Sequence, residues 1–334
     1  MNLSFTDFLK AYGEANPPAL RRKTGEDISV WRAKLLNKVR ELLAPLPKRV
    51  PSSYQIVETI EESDHARHLI NIAVNEFSIL PSYLLIPKDV KENEKRPGIL
   101  ALHGHAEYGM DSLCGTKGMD EEDNNRRAYA LSAVRSGYIT MSPAWWGWSG
   151  RDGDKNKIGN RDKCNVNQMA AGMYGLSVIG LHMQDAEAAL DVLANHPNVD
   201  ANRLGCTGNS YGGRTGMWFG MLDQRIKVMA LGGCMNTFRE RSLKLSSCAV
   251  QYPEGILAYA DVPELFSLFA PRFLHLQAGT KDKLLNAKDI RFIDDVVKDA
   301  YRDVEASENY EHFLHNDGHI LLWEAALAFF KKHL

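Results

Sequence analysis

Gly208-Asn209-Ser210-Tyr211-Gly212-Gly213 follows a short apolar run, Arg203-Leu-Gly-Cys-Thr207, and opens a helix-like segment, Arg214-Thr-Gly-Met-Trp-Phe-Gly-Met-Leu222. Strand, G-x-S-x-G and helix in that order make the setting of a nucleophile elbow. In such a turn the serine backbone is strained, and the residues two before and two after it must be small to clear strand and helix. Both are glycine here, Gly208 and Gly212. The turn lifts the Ser210 hydroxyl off the sheet and sets the Tyr211 N–H beneath an incoming carbonyl. Gly212, Gly216 and Gly220 recur every four residues, which costs a helix about 1 kcal/mol each against alanine and implies close approach of this helix to the sheet.

A serine hydroxyl is a weak nucleophile at neutral pH and needs a histidine base, itself oriented by a carboxylate. The order expected along such a chain is serine, acid, histidine. Asp282, in Ala278-Gly-Thr-Lys-Asp282, follows the apolar run 272–277, and His319, in Asn316-Asp-Gly-His319, follows the run 309–314. Both then fall at carboxyl ends of strands, where open α/β sheets gather their active groups. Asp317 is a rival acid too near His319 in sequence to reach its far ring nitrogen; Asp261 and Asp223 are weaker rivals. The second oxyanion donor is expected in the loop His103-Gly104-His105-Ala106, with the His105 N–H first and Ala106 second. His103, Trp146 and Trp148 are candidate pocket residues, and Trp145 reads as core. His312, His315 and His319 invite a metal reading, but a strand would point 312 and 315 to opposite faces, so no metal is assigned.

From residue 97 onward, strand-like and helix-like segments alternate, which predicts a mostly parallel central sheet with helices on both faces. Strands are expected over 54–60, 68–86, 97–102, 138–142, 226–231, 272–277 and 309–314. Helices are expected over 124–136, 173–194, 289–300 and 320–334. Residues 1–50 read as a helical, peripheral N-terminal extension, with Ile28, Trp31, Leu35, Val39 and Leu42 forming a helical stripe; residues 51–334 read as the catalytic domain. Gly147 to Asn167 reads as a loop, and 147–172 and 236–268 are candidate lid or cap excursions.

The chain has 334 residues, 44% hydrophobic and 25% charged, as in an ordinary globular protein, and a formal net charge of −2. That balance offers no footprint for nucleic acid or an acidic membrane. No apolar run approaches the ~18 residues of a spanning helix. The N-terminal stretch lacks the basic cluster and apolar core of a signal peptide. The five cysteines, 114, 164, 206, 234 and 248, form no C-x-x-C pair and suit reduced thiols packed in the core. Together these features point to a cytoplasmic location, unless a leader has been removed.

Pro81-Ser-Tyr-Leu-Leu-Ile-Pro87, Leu102-His-Gly-His105, Asp200-Ala-Asn-Arg-Leu-Gly205, Ala270-Pro-Arg-Phe-Leu274, Gly279-Thr-Lys-Asp282 and Asp317-Gly-His319 carry a resemblance. Over residues 80–334 the chain resembles the α/β-hydrolase superfamily, and within it the dienelactone-hydrolase-like and acetyl-xylan-esterase-like branch. The resemblance implies an α/β-hydrolase fold with Ser210 as nucleophile, Asp282 as acid and His319 as base. It also implies a carboxylic ester substrate, short-chain or acetyl esters and acylated sugars among them; no cofactor is expected, and the charge balance leaves no nucleic acid or membrane partner expected either. A homo-oligomer is compatible with it. In two places the chain departs from the branch: His105-Ala-Glu-Tyr108 replaces further glycines, and serine stands where dienelactone hydrolases carry cysteine. A peptidase, amidase or lactone hydrolase on the same three residues is the enzymatic alternative; a catalytically silent binding protein is the alternative of another class.

Overall fold

The computed structural model describes residues 4–23, 25–119, 126–151, 162–243 and 248–334. Nine strands form one sheet: β1 Tyr54–Glu61, β2 His65–Asn75, β3 Ser78–Pro87, β4 Arg96–Leu102, β5 Ile139–Pro143, β6 Val199–Asn209, β7 Ile226–Gly232, β8 Phe273–Gly279 and β9 Tyr310–His315. Their order is β1-β2-β3-β5-β4-β6-β7-β8-β9. The first three strands and the β3–β5 junction pair antiparallel, and from β5 to β9 every neighbour is parallel. The expected strand over 68–86 is a hairpin turning between Asn75 and Ser78.

Period-two alternation sends the side chains of each central strand to two separate cores. In β4, Leu100 and Leu102 enter one core with Trp31, Ile179 and Trp218, while Ile99 and Ala101 enter the other with Val134 and Phe330. The helices Ile28–Leu43, Val178–Ala194 and Tyr211–Leu222 cover the first face, and Tyr129–Arg135 and Trp323–His333 the second. The central parallel strands are thus buried on both sides, as a parallel sheet requires, while β1 at the antiparallel edge stays exposed.

Two expectations need correction. The helix Ile28–Leu43 is not peripheral. Asp27 caps it by accepting the Ser29 and Val30 N–H groups, and Trp31, Leu35, Val39 and Leu43 are buried along one stripe. The Trp31 indole N–H also donates to the Leu20 carbonyl at 2.8 Å. The earlier helix Phe5–Ala15 has no buried residue.

A separate helix, Lys163–Met173, ends where the expected helix over 173–194 should start, and that second helix begins only at Val178. Gly175 adopts a left-handed φ of 72° and ends the first, while the Ser177 hydroxyl caps the second by accepting from the Gly180 N–H. The first helix begins inside the expected loop from Gly147 to Asn167, capped by Asp162, whose side chain accepts the Asn165 N–H. Residues 152–161 and 244–247, within the two excursions, lie outside the described residues, as do 124–125 of the expected helix over 124–136.

Trp31 gives a direct test of how far the N-terminal helix belongs to the core. Trp31→Ala should destabilise the protein by about 3–5 kcal/mol in urea unfolding, the cost of a fully buried aromatic. A loss below about 1 kcal/mol would return this helix to the periphery.

Candidate active site

Ser210 joins β6 to the helix Tyr211–Leu222 with φ 61° and ψ −119°, a strained conformation for a residue with a side chain. Its N–H donates to the Gly232 carbonyl at 2.9 Å, and its carbonyl accepts the Arg214 N–H at 3.0 Å. The strain is held by contacts that tolerate no side chain. A Cβ on Gly212 would overlap the Leu102 carbonyl oxygen, and one on Gly208 would overlap the Gly212 backbone. Further along the same helix a Cβ on Gly216 would lie 2.6 Å from Leu231 Cδ2, so the repeated glycines let helix and sheet close on each other.

The loops after β8 and β9 are stitched together by backbone bonds. Thr280 N–H donates to the His315 carbonyl at 2.8 Å and Lys281 N–H to the Asp317 carbonyl at 3.0 Å. This register sets Asp282 against His319, with Asp282 Oδ2 2.6 Å from His319 Nδ1. The other carboxylate oxygen accepts the Leu284 N–H at 2.8 Å. The short contact fixes the imidazole with its proton on Nδ1. His319 Nε2 is buried and finds no hydrogen-bond partner among the described residues. Gly233, at φ 62°, leaves room for the ring: a Cβ there would lie 2.8 Å from His319 Cε1.

Ser210 and His319 line one open cleft of about 640 Å³, with His103, Gly104 and His105 of the β4 loop also on its wall. That loop crosses the elbow closely, for a Cβ on Gly104 would be 2.9 Å from the Asn209 carbonyl oxygen and 3.8 Å from the Tyr211 nitrogen. The His105 ring centre lies 4.7 Å from that of Tyr211. The structure therefore brings Ser210, Tyr211, His105, Asp282 and His319 to one place.

The rival acids are engaged elsewhere. Asp317 pairs with Arg126 at 2.9 Å, Asp223 with Arg225 at 2.6 Å, and Asp261 caps the helix Val262–Ser267. The three histidines considered for a metal do not gather: His312 Nδ1 faces Asp294 at 3.3 Å, whereas His319 faces Asp282.

The aromatic pocket candidates sit differently from expectation. The Trp148 indole is buried and donates its N–H to the Ala106 carbonyl at 2.8 Å, so it props the β4 loop from behind. Trp146 faces a second cleft with Asn167, Ala170 and Leu181, under the Arg151 guanidinium at 3.7 Å. His103 contributes to the active cleft's wall, but its side chain is fully buried and its Nε2 accepts the Trp145 N–H at 3.1 Å. His182 does the same for the Trp146 N–H, and its Nδ1 lies 2.6 Å from the Tyr211 hydroxyl, which in turn donates to the Val250 carbonyl.

Sequence reasoning passed over Tyr129, Ser112 and Leu284 on the cleft wall. Tyr129 is the most structured of these. Its hydroxyl donates to the Leu102 carbonyl and accepts the Asn209 N–H at 3.1 Å, bolting the end of β4 to the elbow.

A model of the Abhydrolase family matches residues 16–319. The chain belongs to the Abhydrolase family. This abhydrolase is 24% identical over 311 residues to the "Putative hydrolase YtaP" of Bacillus subtilis (strain 168), an alignment covering 91% of this chain and all of that one. In fold it is similar to a putative acetyl xylan esterase from Bacteroides fragilis NCTC 9343, with a TM-score of 0.81 at 15% identity, covering 99% of this chain and 95% of that one. It is also similar to the glucuronoyl esterase from Solibacter usitatus, with a TM-score of 0.69 at 17% identity, covering 95% and 99%.

Burial pushes the His103 imidazole down from 6.5 to about 3, and His182 also well below its usual value. Between those limits the unfolded chain therefore binds a proton at His103 that the folded chain does not, and His182 acts in the same direction. Stability is retained above pH 6.5 and falls as the pH drops toward 3. At pH 5, His103 alone should cost about 2 kcal/mol relative to pH 7. Urea unfolding at the two pH values should show the loss, and His103→Asn should flatten it; an unchanged slope in that variant would refute the assignment.

Proposed function

We propose that this abhydrolase is a serine hydrolase of carboxylic esters, acting through Ser210, His319 and Asp282. The observation that carries the reading is the 2.6 Å contact of Asp282 Oδ2 with His319 Nδ1, which leaves the opposite nitrogen unpartnered on the cleft that Ser210 enters. His319 Nε2 takes the Ser210 proton as Oγ attacks the ester carbonyl. The tetrahedral oxyanion is received by the Tyr211 and His105 N–H groups at the amino end of the elbow helix, where the aligned peptide dipoles also favour negative charge. The imidazolium, steadied by Asp282, then protonates the leaving alcohol. Water, activated by the same nitrogen, releases the acid and restores Ser210.

Acetyl or other short acyl esters of sugars are the proposed substrates. Support comes from the sequence resemblance and from the names of the structural neighbours, an acetyl xylan esterase and a glucuronoyl esterase. The five cysteines are all free, which supports a cytoplasmic setting and so small substrates that enter the cell. Among the described residues, no helix is long and apolar enough to cross a membrane.

Ser210→Ala should lower kcat/KM for 4-nitrophenyl acetate by about 10⁴-fold or more with the fold intact by circular dichroism. Turnover above a tenth of the parent would sink the nucleophile, and failure of a fluorophosphonate to label Ser210 would point to a silent binding protein. Asp282→Asn should cost on the order of 10³–10⁴ in turnover, whereas Asp317→Asn, which breaks only a surface pair, should stay within about fivefold. The reverse ranking would move the acid.

A panel of acetyl, butyryl and octanoyl esters, acetylated xylose and aminoacyl anilides should show acetyl esters cleaved fastest. Preference for the anilides would replace the esterase reading with a peptidase.

A further inference from the structure

His105, Cys164 and Cys248 come from three separate segments, and their ring nitrogen and sulfurs all lie within 4.8 Å of one another. Cys164 Sγ is 3.4 Å from His105 Nε2. Cys164 sits in the first turn of the helix Lys163–Met173, and Cys248 is the residue before the short turn Ala249–Gln251. The two segments are tied directly, since Asn165 Oδ1 accepts the Ala249 N–H at 2.8 Å. Trp148 packs its ring edge-on to His105 at 5.2 Å and holds that loop in place.

The geometry points to a soft divalent metal site, fitted to Zn²⁺, formed by His105 Nε2, Cys164 Sγ and Cys248 Sγ beside the active cleft. Tetrahedral zinc with ordinary Zn–S and Zn–N bonds spaces its ligand atoms about 3.5–3.8 Å apart, close to the 4.8 Å within which these three lie. Cys164 is buried, Cys248 half-buried and His105 exposed, which leaves an entry path on the His105 side. Two thiols and one imidazole leave a fourth position for water.

The thiols must lose their protons to solvent as the metal binds. Cys164 lies in the first turn of the helix Lys163–Met173, where the peptide dipoles favour a thiolate. A disulfide would use the sulfurs without the imidazole, and all five cysteines are free in this structure.

The site does not depend on the hydrolase reading, and the experiment keeps the two apart by using both the parent protein and Ser210→Ala. Each is stripped with chelator and titrated with Co²⁺. The expected result is a thiolate-to-cobalt charge-transfer band that saturates at one metal per chain in both proteins and is displaced by Zn²⁺. Cys164→Ser and Cys248→Ser should each weaken binding at least about tenfold. In the parent protein, which needs no substitution, Zn²⁺ should shield Cys164 and Cys248 from maleimide. A missing band, an unaltered band in both serine variants, unshielded thiols, or a Cys164–Cys248 disulfide in metal's place would overturn the site.

Discussion

The backbone of the elbow helix touches the backbone of β4 with nothing between them, and the rest of the site depends on that contact. At Gly212 any side chain would overlap the Leu102 carbonyl, and at Gly208 any side chain would overlap Gly212. Glycine in a helix is costly, about 1 kcal/mol each against alanine, and here the cost is met by bringing three segments within van der Waals range. The β4 loop, the elbow and the first turn of the helix then behave as one body. Tyr129 adds a polar bolt across the same junction, bonding to Leu102 on one side and Asn209 on the other. Backbone N–H groups are useful for holding charge only when they cannot reorient, and this packing removes their freedom.

Around that body, the same side-chain type is set to different work by its surroundings. His103 and His182 are buried, held neutral, and spend their acceptor nitrogens on the backbone after β5. His319 keeps one nitrogen on a carboxylate and the other free, with about a quarter of its side chain exposed. His105 lies on the cleft wall beside Tyr211 and sets its Nε2 3.4 Å from Cys164 Sγ. Burial sets the work of the first pair, and the contact with Asp282 orients His319; no property of imidazole itself distinguishes them.

What could be read from sequence follows the same physics. The parallel strands were legible because each is a short apolar run ending in glycine or a polar turn, as at Leu102-His103 and Gly232-Gly233. Asp282 and His319 were legible because each follows such a run, and their approach is fixed by strand order. The break at Gly175 was hidden, because the apolar spacing continues across it and only a left-handed glycine and a serine cap end one helix and start another. The tryptophans were misplaced because aromatic character says that a side chain is buried, not against which wall. The grouping of His105 with Cys164 and Cys248 joins residues 84 and 59 apart in number, and no local pattern announces it.

The three groups proposed for the reaction hang from the ends of β6, β8 and β9, and the last two are locked together only when the β9 loop pairs with the β8 loop. Synthesis runs from the N-terminus, so Ser210 is made before either proposed partner. The proposed nucleophile can therefore meet its proposed base only in a molecule whose sheet is complete out to its edge strand, β9.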